Sequence, residues 1–116
     1  MSFAVLQLNP STMESIFPKS PFMYGMGSGF TRDDVRNLLK AGGEDGYRVV
    51  AQFNVDTLDE VFEASNRGHR EDVIERIESM HSVSVGDVIV DEHEGTWVVA
   101  PTGFEMVGKL SDILSA

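Results

Sequence analysis

The stretch Tyr47–Val55 constrains the fold most strongly, because inward and outward positions alternate along it. Tyr47, Val49, Ala51, Phe53 and Val55 interleave with Arg48, Val50, Gln52 and Asn54. A period of two places the first set on one face of a strand and the second set on the other. A strand with one apolar face cannot bury that face alone, so the chain must supply a sheet and a covering layer.

The flanking segments supply both. FAVLQL at residues 3–8 reads as a short strand closed by the Asn9-Pro10 turn signal. Thr31 with Asp34 forms a capping box, and Phe30 and Val35 are spaced for a staple across it. Val35, Leu38 and Leu39 share a face and Gly42-Gly43 supplies a stop, so the first helix is expected over residues 32–41. A second capping box, Thr57 with Glu60, opens a short helix with Leu58, Val61 and Phe62 inward, ending at Asn66–Gly68. The spacing of Val73, Ile74, Ile77 and Met80 predicts a third helix from Glu71 to Met80.

The last third is β in character. Val85–Val90, Thr96–Ala100 and Phe104–Val107 read as strands, with a hairpin tip at Glu92–Gly95 and a turn at Pro101–Gly103. Lys109–Ala116 is expected to close the chain with a helical turn. The fold class is therefore α+β: a small antiparallel sheet with two or three short helices on one side, in the order β-α-β-α-α-β-β-β. At 116 residues one domain is the expectation for 1–116. Residues 10–30 stand apart as an irregular arm carrying Pro10, Pro18, Pro21 and a glycine cluster, and also Phe17, Phe22 and Tyr24. Those three aromatics are candidates for a partner-binding arm; an irregular segment laid across the core is the plainer reading.

Charge narrows the partners. Nineteen acidic against nine basic residues give −10. Residues 1–43 hold three acids and four bases, net +1, whereas residues 44–116 hold sixteen acids and five bases, net −11. Such a surface repels phosphate backbones, so no direct nucleic-acid binding is expected. It suits a basic protein partner, although acidic charge also simply maintains solubility. The opening residues make a poor secretory signal, no apolar stretch approaches the length needed to cross a bilayer and the sequence holds no cysteine, so a cytoplasmic location is expected, that of the host cell if the protein is viral.

Catalytic and cofactor motifs fare poorly. GMGSGF before the first helix lacks a phosphate-binding Lys, and Asp33 and Asp34 occupy the turn where an anion would sit. His69, His81 and His93 fall in three different segments, and Asp91–Glu94 at a hairpin tip points its side chains to opposite faces. Neither a metal nor a cofactor is expected. Ser82 and Ser84 lie near His81, but sequence neighbours do not make a nucleophile–base pair.

The distinctive segment is SVSVGDVIVDEHEGTWVVAPTGFEMV, residues 82–107. Within it Ser82, Ser84, Gly86 and Asp87 make a turn-and-strand motif, and Trp97, Gly103 and Phe104 lie in or beside the strands that follow. Gly86 and Gly103 are expected at positive φ or close backbone approach, and Asp87 is expected to cap its own turn. Structural duty is the plainer role for all of them. Together with Tyr47–Asn54 and the helix TLDEVFEASN, this order resembles the YodL-like domain, over about residues 47–107. Val83 and Val85 stand where bulkier residues are expected in that family, and the 67–81 segment is longer. The resemblance implies a context, an accessory protein of a phage, conjugative element or bacterium, and implies no catalytic residue.

The expectation is accordingly a non-enzymatic accessory protein that binds a host or viral protein, with an acidic inhibitor as one form of it. Two alternatives stay open. One is an enzymatic or small-ligand domain whose site gathers scattered residues such as Asp87, His81 and Trp97. The other is a structural module in which the arm joins a homo-oligomer.

Overall fold

The computed structural model describes residues 2–9, 32–67, 71–100 and 103–115. Six strands form one antiparallel sheet: β1 (Phe3–Leu8), β2 (Tyr47–Phe53), β3 (Ile74–Arg76), β4 (Val88–Val90), β5 (Gly95–Val99) and β6 (Phe104–Lys109). Their order across the sheet is β3-β2-β1-β4-β5-β6. Among the described residues three helices accompany them: α1 (Arg32–Ala41), α2 (Leu58–Arg67) and α3 (Leu110–Ser115). The α+β class and the antiparallel sheet are those the sequence predicts, as are the bounds of the first helix and the presence of the closing one.

The helices do not share one side of the sheet. Neighbouring residues along β4 feed different cores: Val88 and Val90 join Val35, Leu39 and Ile113, whereas Ile89 joins Val61 and Ala64. Thus α1 and α3 cover one face and α2 covers the other. Both faces of the central strands are buried, which is why β4 reads as an unbroken apolar run.

The third helix predicted for Glu71–Met80 is replaced by a single 3-10 turn, Glu71–Val73, and the strand β3. Its apolar spacing fits a helix, but the outer edge of β2 offers unpaired backbone groups that a helix would leave bare. The segment takes them instead: β3 pairs antiparallel with β2, Asn54 N donates to Val73 O at 2.8 Å, and Ile77 N donates to Val50 O at 2.8 Å.

The alternation in β2 also breaks. Val5 pairs with Ala51 and Leu6 with Val49, so Val50 has no opposite residue and forms a bulge. The extra residue turns Val50 inward beside Ala51, both fully buried, and leaves Val49 39 % exposed. Tyr47 consequently belongs to the α1 face and Phe53 to the α2 face. A similar irregularity in β6 leaves Val107 without an opposite residue, between Gly108, paired with Thr96, and Met106, paired with Trp97.

The expected cap of α2 holds. Glu60 N donates to Thr57 Oγ1 at 3.1 Å, and the Thr57 hydroxyl donates to Glu60 Oε1 at 3.3 Å, completing the cap of α2. The expected cap and staple at Thr31 and Phe30 lie outside the described residues. Among the described residues no helix is long and apolar enough to cross a membrane.

Candidate functional site

Three places gather the residues that the sequence singles out. The first is a polar cluster at the start of β4. Asp87 is 1 % exposed, between the turn 84–86 and the strand. Asp87 N donates to Ser84 O at 3.0 Å, and Ser84 N returns a bond to Asp87 Oδ2 at 2.9 Å, so the side chain caps its own turn as expected. Gly86 supplies that turn with φ 94°, and Gly103 likewise sits at φ 89°. The Tyr47 hydroxyl donates to Gly86 O from the neighbouring core.

Gln7 of β1 completes the cluster. Its Nε2 donates to Asp87 Oδ2 at 3.0 Å and to His81 O at 2.9 Å, while its Oε1 accepts from His81 N at 3.3 Å. The side-chain amide thus pairs with the His81 backbone as another strand would, and holds the crossing 77–86 against β1. Gln7 is 1 % exposed, and these partners satisfy it. His81 Nδ1 lies 2.8 Å from Ser82 O and 3.9 Å from Asp87 Oδ2. Burial pushes the Asp87 carboxyl up to about 7, against the opposing pull of His81 and of the Ser84 and Gln7 donors. Burial, and then the nearby Asp87 charge, raises Tyr47 far above the ordinary phenol range.

This cluster unites Asp87 with His81, and Ser82 and Ser84 flank them in the chain. Apart from side-chain contacts of Gln7 such as that with Asp87, however, its bonds run to backbone. The His81 ring addresses the Ser82 carbonyl, and Ser84 meets Asp87 through its amide nitrogen. Chemically the arrangement is a latch joining a loop to the central strand.

Trp97 does not join it. Its Nε1 donates to Asp91 Oδ2 at 3.2 Å, at the opposite end of β4. Asp91 Oδ1 accepts from His93 N at 2.8 Å and Gly95 N at 2.9 Å, so one carboxylate shapes the whole hairpin tip. Burial works against that charge, but the bonds from Trp97, Gly95 and His93 outweigh it and hold Asp91 below the usual carboxylate range. Glu94 faces Lys109 at 4.0 Å. Among the described residues no group of three or more His, Asp or Glu side chains could hold a metal ion.

The third place is a groove of about 240 Å³ between α2 and the end of the sheet, lined by Asp59, Phe62, Val99, Ala100, Gly103 and Phe104. Gly103 and Phe104 come from the distinctive 82–107 segment; Asp59 and Phe62 do not. Phe62, expected inside, is 40 % exposed, because α2 turns Val61 and Ala64 to the core and leaves Phe62 at its margin. Met106 extends the same face. It pairs with Trp97, which pairs with Ile89 on the α2 side, and Met106 is 48 % exposed. Phe62, Phe104 and Met106 therefore line the part of the sheet that α2 leaves uncovered, with Asp59 at its rim. The arm residues Phe17, Phe22 and Tyr24, His69 and the glycine cluster 25–29 lie outside the described residues.

Comparison with protein-family models, with curated proteins and with solved structures finds no match.

Proposed function

We propose that this chain is a non-enzymatic accessory protein of the phage or mobile-element type, acting in the cytoplasm by binding another protein. The observation that carries the reading is the apolar strip Phe62–Phe104–Met106 beside Asp59, on a chain of net charge −10. Exposed aromatic and methionine side chains grouped on one face favour protein association over idle surface. The surrounding charge selects a basic partner and disfavours nucleic acid. The resemblance of residues 47–107 to the YodL-like domain supports the accessory context. Inhibition of a DNA-binding host enzyme by an acidic surface is the form of this reading that charge favours.

The test is capture from a host lysate, followed by reconstitution with the recovered protein in purified form. The reading expects affinity to fall at least tenfold in the double variant Phe62→Ser, Met106→Ser, and to weaken as salt rises. A purified partner that binds the double variant as well as the wild type would refute this surface. The enzymatic alternative rests on the Asp87–His81 approach, and it predicts a turnover that Asp87→Asn abolishes without loss of folding.

A further inference from the structure

Resting on the protein-binding reading, we infer that the outer edge of β6 receives an extended segment of the partner, in which a lysine or arginine stands between two apolar residues. β6 is the last strand of the sheet, and among the described residues no strand pairs with its outer side. An open edge invites strand addition unless something blunts it. Half of this edge is blunted: Val107 bulges, and Arg36 Nε donates to the Val107 carbonyl at 2.9 Å. Among the described residues the other half, Phe104–Met106, carries no such cover.

The side chains of that half specify what would pair with it. Residues directly opposite one another in antiparallel strands project to the same face. Phe104 packs with the α2-side core and Met106 pairs with Trp97 on that side, so both belong to the face of the groove. Glu105 pairs with Val98, whose side chain lies in the α1-side core. An added strand therefore sets its first and third residues over the strip that continues to Phe62, and its second beside Glu105. The strip favours aliphatic or aromatic groups. Glu105 favours a cation, because its Oε2 is out of solvent with no hydrogen-bond donor, and a charged oxygen in that state gains from a donor brought close. The alternation apolar–basic–apolar follows from the pleat, with backbone hydrogen bonds supplying attraction that any sequence can make.

The ¹⁵N-labelled full chain is titrated with an end-blocked peptide in which Val, Lys and Val alternate between threonines. Controls are an isomer with the two valines adjacent, and two N-methylated peptides, one methylated at Lys and one at both Val. The parent peptide is expected to shift the amides of residues 104–106 and slow their hydrogen exchange. The isomer is expected to bind at least fivefold more weakly, and Glu105→Gln to weaken the parent at least threefold. Only alternate amides of an added strand face the edge, so one methylated peptide should bind and the other should not. Equal binding of both methylated peptides, or shifts confined to residues around Phe62, would overturn strand addition while leaving the groove as a docking surface. An absence of shifts in β6 at saturating peptide would also overturn it, whereas the fate of the docking reading is decided separately by the Phe62, Met106 double variant.

Discussion

Replacing Asp87 by Asn tests the latch, because it removes a buried charge while keeping the acceptor that Gln7 and Ser84 use. The folded carboxyl titrates at about 7 against an ordinary 3.8. A raised folded value means that the native state holds the proton more tightly than the unfolded chain. The favourable contribution is fully present below pH 3.8 and is lost as pH rises through 7. A tenfold difference in proton affinity between the two states is worth about 1.4 kcal/mol, so the rise from 3.8 to about 7 sets an upper scale on the order of 4 kcal/mol between pH 4 and pH 8. In Asp87→Asn an Oδ1 can accept both bonds, and the new amide hydrogens give back roughly 1 kcal/mol if poorly matched. The variant is therefore expected to be about 2–3 kcal/mol more stable than the wild type at pH 8 and to lose that advantage near pH 5. Urea unfolding followed by the single tryptophan, Trp97, measures both proteins at pH 5, 6, 7 and 8. His81→Gln, which removes a group that lowers the Asp87 value, should move the wild-type transition to higher pH. Parallel pH profiles for wild type and Asp87→Asn, or a variant less stable at pH 8, would refute the assignment of a buried charge that its partners only partly offset.

Three further outcomes follow from the same bonds. Gln7→Leu leaves the His81 backbone and the Asp87 carboxylate without their partner and is expected to cost about 2–4 kcal/mol in urea unfolding, more at pH 8 than at pH 5. Thr57→Ala removes the α2 cap and should cost about 1 kcal/mol, with Thr57→Ser restoring most of it. Asp91→Ala should red-shift Trp97 emission and speed amide exchange at His93 and Gly95; in the wild type the Asp91 contribution is present above pH 3.8 and is lost as pH falls through its lower folded value, seen as acid loosening of the hairpin by NMR.

Some elements are legible in the sequence because their signals are local. Thr57 and Glu60 act across one helical turn, and Gly86 and Asp87 act within one β-turn, so neither depends on distant chain. The elements that are not legible depend on partners far away. The 71–80 segment has helical spacing, and its outcome is decided by the edge of β2 that it meets. Val50, Ala51 and Phe53 fall on the face opposite to Tyr47 because β1 and β2 pair with a bulge, which no periodicity in β2 alone records. Gln7 carries a usable signal, a polar residue inside the apolar run FAVLQL, but its partners lie in the 81–87 segment. Phe62 sits at the boundary of the apolar arc of α2, where one step of rotation separates core from surface. Asp87 and His81 do meet, yet Trp97, the third member of that scattered set, is held by Asp91 at the far end of the same strand.

The central position of β1 carries a consequence for how the molecule is assembled. β2 and β3 neighbour one another in the chain, as do β4, β5 and β6, yet among the described strands these two groups share no edge, and β1 lies between them. Gln7 and Asp87 are 80 residues apart, so the seam closes only after the chain has been synthesised as far as β4. Until then each half exposes a bare flank to its neighbours in the cell. A proteolytic cut or a bulky fusion at residues 2–9 would separate the sheet into two unfinished pieces, whereas an equal insult beyond α3 would leave the seam sewn.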